Sequence, residues 1–167
     1  MAVEMNVLQI VGYKKSGKTT LSTRIIDFMT EKDIRVGSLK HHGHGGLPLG
    51  LENTDSEKQL QAGAVVAGVE GEGLFQFSVR DEWQINQIIA IYKLLEVQYL
   101  VIEGYKNLAF PKIVLIKQQE DLRLLQLVTN IVAVVSDLPI EDNSYPVFRY
   151  SDFNDLVHWI YQDFPLN

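Results

Sequence analysis

Gly12, Gly17, Lys18 and Thr19 occupy every fixed position of the pattern Gly-x-x-x-x-Gly-Lys-[Ser/Thr], in the stretch Gly12-Tyr-Lys-Lys-Ser-Gly-Lys-Thr19. The chemistry this spacing supports is the grip of a polyphosphate. Glycines let the backbone wrap closely around an anion and turn several N–H groups inward. Lys18 reaches the β- and γ-phosphates, and the Thr19 hydroxyl ligates Mg²⁺. Tyr13, Lys14, Lys15 and Ser16 complete the loop, and Thr20 follows it. The pattern alone does not separate ATP from GTP, or a kinase from a switch.

Such a loop works only between a strand and a helix, because the helix N-terminus must face the anion. Asn6 to Val11 is a short apolar run of the buried-strand type, and Leu21, Ile25, Phe28 and Met29 recur at helical spacing after Lys18. Arg35 to Lys40 reads as a second strand, making a βαβ unit whose strands are parallel with a right-handed crossover. Thr54-Asp-Ser-Glu57 is a capping-box pattern that starts a helix at Asp55, ending near Gln61. Ala64–Val69 and Leu74–Val79 flank Glu70-Gly-Glu-Gly73 as an antiparallel hairpin, an addition that a parallel nucleotide-binding sheet does not require and a candidate surface for self-association. Asp81–Val97 has the periodicity of an amphipathic helix. Tyr99–Ile102, Lys112–Lys117 and Ile131–Val135 read as further strands, and Ser151 caps a last helix. Gln118–Asn130 fits a leucine-rich helix or a short strand. The expected architecture is one α/β domain over residues 1–167. It is a P-loop NTPase-like, mostly parallel sheet flanked by helices, with an antiparallel hairpin extension.

In open parallel sheets, ligands sit beyond the C-terminal ends of the strands. Glu103 lies there and could hold Mg²⁺ directly or through water; the plainer alternative is a solvated acid at a strand end. Asp137 ends the last strand. A carboxylate accepts from guanine N1 and N2, so this residue could select GTP, although Asn-Lys-x-Asp is absent and Ser-Asp before Leu-Pro also opens turns. Asp55 could ligate Mg²⁺ or orient water, or simply favour its helix dipole. Lys40 could reach phosphate or remain solvated. His41, His42 and His44 sit in a glycine-rich loop, 41–50, and suit contact with phosphate or a partner better than a closed metal site.

Composition narrows the class. The chain has 167 residues, 46% hydrophobic and 22% charged, with net charge −6 and no cysteine. Cysteine nucleophiles, disulfides and thiolate metal sites are excluded. There is no basic block, so nucleic acid is not an expected partner. No apolar run approaches the ~18 residues of a membrane span, and a cytoplasmic location fits.

Taken in order, several stretches together resemble the molybdopterin-guanine dinucleotide biosynthesis protein B (MobB-type) family of GTP-binding proteins. They are Val11–Thr20, Val36–His44, Thr54–Ser56 with Gln61–Ala64, Leu100–Lys106, Pro111–Leu115 and Val135–Asp137. The resemblance implies weak GTP hydrolysis and help to a guanylyltransferase (protein A) that attaches GMP to molybdopterin. It also implies a homodimer. Gly12, Gly17, Lys18, Thr19 and Thr20 would hold phosphates and Mg²⁺, Asp55 and Glu103 would lie near the metal, and Asp137 near the base. The histidine loop, His41 within it, would lie near the phosphates or face the partner or the pterin. Two readings stand against this one. A small-molecule kinase would need an arginine-rich lid, yet Arg80 alone lies between Arg35 and Arg123. A nickel-handling GTPase is suggested only by the clustered histidines.

Overall fold

The computed structural model describes residues 5–42, 54–141 and 144–163. They form two compact units, one of Met1–Gly43 with Ala90–Asn167 and one of His44–Ile89.

The first unit is built on a six-stranded sheet in the order β2-β5-β1-β6-β7-β8, with every pairing parallel. The strands are β1 (Asn6–Gly12), β2 (Val36–Lys40), β5 (Tyr99–Glu103), β6 (Lys112–Ile116), β7 (Ile131–Ser136) and β8 (Val147–Phe148). All five residues of β5 and all five of β6 are buried, which is why those strands read as unbroken apolar runs rather than alternating ones. Within them the pleat still sorts the side chains. Ile113 and Leu115 join Leu8, Ile10, Val101 and Val135 in one core cluster, with Leu21, Ile25 and Met29 of α1 (Lys18–Thr30) and Phe153, Leu156 and Ile160 of α5 (Phe153–Asp163). Val114, Ile116 and Val134 join Val11 and Leu124 in another. Chain order reverses across β1, whose neighbours β5 and β6 follow one another in sequence, so the C-terminal end of β1 is the switch point at which a ligand is expected.

The open segment 118–130 resolves into a 3-10 turn at Gln119–Arg123 and a single helical turn, α4 (Leu124–Leu127). Asp121 is buried there and accepts the N–H groups of Lys117 (3.0 Å) and Gln118 (3.2 Å), which ends β6 and turns the chain. Lys112, at the start of β6, is wholly buried and donates to the carbonyls of Leu108 (2.8 Å), Phe110 (3.0 Å) and Thr129 (2.6 Å).

In the second unit, α2 (Asp55–Gln61) starts as expected, the Thr54 hydroxyl accepting from the Glu57 N–H at 3.2 Å. β3 (Val66–Gly71) and β4 (Leu74–Val79) pair antiparallel across Glu72-Gly73, both at positive φ (51° and 80°), the mirror-image turn that matches strand twist. Val69, Leu74, Phe75 and Phe77 are exposed on this hairpin.

Two helices differ in extent from their sequence periodicity. α3 covers Ile85–Leu94 rather than Asp81–Val97. Asp81 turns back to accept from the Glu82 N–H (2.7 Å), and Arg35 binds the carbonyls of Leu95 (2.8 Å) and Glu96 (3.2 Å), closing the C-terminal end. Ser151 is not the cap of α5. It lies within a 3-10 turn, Tyr150–Asp152, whose Asp152 N–H donates to the Arg149 carbonyl (3.0 Å) while the Asp152 carboxylate accepts from the Arg149 N–H (3.4 Å), and its hydroxyl donates to Asp152 (2.5 Å).

Candidate phosphate-binding site

β1 ends at Gly12, and the loop returns to α1 at Lys18. A Cβ on Gly12 would stand 2.3 Å from Ser16 Oγ and 3.2 Å from Leu115 Cβ, so the tight return of the loop onto Gly12, with β6 alongside, favours glycine. Lys15 (φ 62°) and Gly17 (φ 94°) take left-handed conformations that fold the backbone over itself. No side chain caps α1 and its first turn holds no acid, so the helix N-terminus is left open to an anion. Ser16 Oγ is buried and has no partner among the described residues.

Lys18 Nζ donates to the carbonyls of Gly12 (3.1 Å) and Tyr13 (2.7 Å), which holds the ammonium over the loop. Burial pushes its pKa below the ordinary lysine value. Glu103 opposes that shift, and the charges of Lys106 and Lys40 add to it. Glu103 is the anionic counterpart. It is buried at the end of β5 and accepts from Ser22 Oγ (2.7 Å) and Thr19 Oγ1 (3.1 Å), with Lys40 Nζ at 3.9 Å. A hydroxyl and a carboxylate oxygen at this separation are the hard donors that Mg²⁺ prefers, so the pair fits that ion. His41 follows directly, its N–H donating to the Glu103 carbonyl (2.9 Å) and its ring 4.2 Å from that of Tyr105.

Asp137 is exposed beyond β7 and accepts from the Tyr150 N–H at 3.2 Å. The Tyr150 ring approaches Gly17, lying 3.5 Å from where a Cβ there would stand, and its buried hydroxyl has no partner among the described residues. Burial first, then Asp121 and Asp137, raise the Tyr150 pKa. Asp137 and the loop are thus joined through one aromatic residue.

The structure therefore brings Gly12 to Thr20, Lys40, His41 and Glu103 together, with Asp137 reached through Tyr150. Lys14, Lys15, Thr19 and Thr20 are exposed around the loop. Asp55 belongs to the second unit, where its exposed carboxylate takes Lys58 Nζ at 2.8 Å. His44, with residues 43–50 of its loop, lies outside the described residues; His42 is exposed. Among the described residues no three His, Asp or Glu side chains gather closely enough to hold a metal, and no helix is long and apolar enough to cross a membrane.

Sequence reading missed Ser22 and Tyr150. Ser22 had a signal, since it lies three residues after Thr19 and so on the same face of α1. Tyr150 had none, because it reaches the loop from the far end of the chain.

Comparison with known proteins identifies relatives of the chain. The family described as molybdopterin guanine dinucleotide synthesis protein B matches residues 7–137. A Bacillus subtilis protein named as a probable molybdopterin-guanine dinucleotide biosynthesis adapter is 41% identical over 150 residues, covering 87% of this chain and 86% of its own. The crystal structure of Bacillus subtilis MobB superposes with a TM-score of 0.82 at 35% identity, covering 95% of this chain and 97% of that one. A MobB homologue from Bacillus stearothermophilus gives 0.77 at 35% identity, with the same coverage.

Proposed function

This chain belongs to the molybdopterin guanine dinucleotide synthesis protein B family, and on that premise we propose that it is a GTP-binding adapter. It works in molybdopterin guanine dinucleotide biosynthesis, beside an enzyme of that pathway. In this reading the enzyme is the guanylyltransferase (protein A) that joins GMP to molybdopterin, and the chain supplies or stabilises its GTP and possesses only slow GTPase activity of its own. It acts as a homodimer in the cytoplasm.

The observation that carries the reading is Lys18. Its ammonium rests on two loop carbonyls beside an uncapped helix N-terminus, which supports a role in meeting an anion bound by the loop. When a triphosphate enters, the loop amides surround the β-phosphate and Lys18 moves from the carbonyls to phosphate oxygens. Thr19 and Glu103 would hold Mg²⁺, which when bound offsets charge on the β- and γ-phosphates. Ser22 fixes one Glu103 oxygen, leaving the other turned towards Thr19. Asp137 receives guanine N1 and N2, and its partner among the described residues, the Tyr150 N–H, leaves acceptor capacity for both. Slow hydrolysis follows from what surrounds the phosphates. An arginine supplied to the γ-phosphate is worth ~10³–10⁵ in rate, and Arg123 is engaged on Tyr13 instead.

Nucleotide selectivity tests the reading. Calorimetry of wild type and Asp137→Asn with GTP and ATP should show GTP preferred by wild type, and the preference reduced about tenfold or more in the variant. Equal affinity of the wild-type chain for both nucleotides would remove the base-reading role of Asp137.

A further inference from the structure

Tyr13, the second residue of the phosphate loop, carries two cations on one ring. Lys106 Nζ lies 4.0 Å from the ring centroid and Arg123 Cζ lies 4.9 Å from it. Arg123 Nε also donates to the phenol oxygen at 2.6 Å, which fixes the guanidinium and leaves its two terminal nitrogens without a partner among the described residues. A third cation, Lys117, stands close by, donating to the Lys15 carbonyl at 3.4 Å. Among the described residues the ion pairs are Lys40–Glu103 and Lys58–Asp55, so Lys106, Arg123 and Lys117 make no direct ion pair with a carboxylate there. The chain is acidic, with 21 Asp and Glu against 15 Lys and Arg, yet among the described residues these three cations lack a direct ion-pair partner. One ring attracts one cation well. A second brought to it is repelled by the first, and that arrangement is relieved by an anion.

The nucleotide does not account for this charge. In the GTP reading the base lies at Asp137, beside Tyr150 and Gly17, and the phosphates end at Lys18, where the loop amides serve them. Lys106 also stands near enough to Lys18 to lower its pKa, so the cluster borders the phosphate loop. We propose that Lys106 and Arg123, gathered on Tyr13, form a second anion subsite that takes the phosphate monoester of a co-ligand bound beside the nucleotide. A fixed planar guanidinium with free terminal nitrogens matches two phosphate oxygens, and an ammonium matches the third. The assignment of the site to a co-ligand, rather than to a lone anion, rests on the GTP reading above.

Titration with inorganic phosphate, followed by ³¹P NMR, tests the subsite in two backgrounds. One is wild type saturated with the non-hydrolysable imido analogue of GTP and Mg²⁺, in which the loop is filled. The other is the nucleotide-free Lys18→Ala chain, in which the loop is disabled. Phosphate should bind in both, and Arg123→Gln or Lys106→Gln should weaken it about tenfold in each. Nucleotide affinity should stay within about twofold of wild type, and circular dichroism melts should report an intact fold. Absence of phosphate binding in both backgrounds, or binding indifferent to Arg123→Gln, overturns the subsite. So does a result in which loading abolishes phosphate binding and Arg123→Gln weakens the nucleotide, since the cations then serve the γ-phosphate itself. If wild type takes up no nucleotide, the GTP reading has failed separately, and the Lys18→Ala background alone decides whether the subsite exists.

Discussion

At the scale of single residues, the loop was legible because its chemistry is local. Gly12, Gly17, Lys18 and Thr19 are neighbours in sequence and remain so in space, and the Cβ clash at Gly12 explains the first glycine. Glu103 was legible as a strand-end acid, and its burial with Thr19 and Ser22 supplies the reason for its place. Arg123 and Tyr150 were not, since each meets the loop across more than a hundred residues of chain and no periodicity encodes such a meeting. Lys18 gives a pH prediction. Burial disfavours its ammonium, so its pKa lies below the ordinary 10.5 and the charge is lost earlier as pH rises. Phosphate needs the charged form, so alkaline binding must take up a proton and weakens. The affinity advantage of wild type over Lys18→Ala should therefore shrink as pH rises from neutral to the ordinary lysine value of 10.5. Comparison with the variant cancels titration of the nucleotide itself. An advantage that is constant over this range would mean that the ammonium is not what meets the phosphates.

Elements were legible where apolar runs were long. β5 and β6 are buried on both faces and read directly as strands, while β8, two residues long, gave no signal. Segment 118–130 stayed open because its leucines serve a 3-10 turn and a single helical turn, too short for either period to show. Lys112 is the instructive case. A lysine opening a strand reads as solvated, yet this one is wholly buried and ties together three carbonyls from two chain segments. Desolvation lowers its pKa, and the three acceptors are what make the buried cation tolerable. Lys112→Met keeps much of the apolar stem and leaves Leu108, Phe110 and Thr129 without their donor. Urea unfolding should show a loss of about 3 kcal/mol at unchanged slope. A loss within about 0.5 kcal/mol would mean that water replaces the ammonium at no cost.

For the molecule as a whole, the parallel sheet, its flanking helices and the added hairpin were all legible, because the βαβ order and the Glu72-Gly73 turn are sequence-local. The division of contacts into two units was not, since it depends on where the chain packs against itself. A lone two-stranded sheet is marginal in water, and this one exposes Val69, Leu74, Phe75 and Phe77. Phe75 and Phe77 share one face of the hairpin, and Val69 and Leu74 lie on the other. A second copy covering the phenylalanine face would bury that pair, so wild type should sediment as a dimer and Phe75→Glu with Phe77→Glu as a monomer. A monomeric wild type would remove the hairpin from this role. The whole account depends on the grip of the loop on a triphosphate, and calorimetry of GTP with Mg²⁺ on wild type and Lys18→Ala tests that grip most directly. The predicted result is binding by wild type and a loss of about a hundredfold or more in the variant, with its fold intact. Unchanged GTP affinity in Lys18→Ala would contradict it.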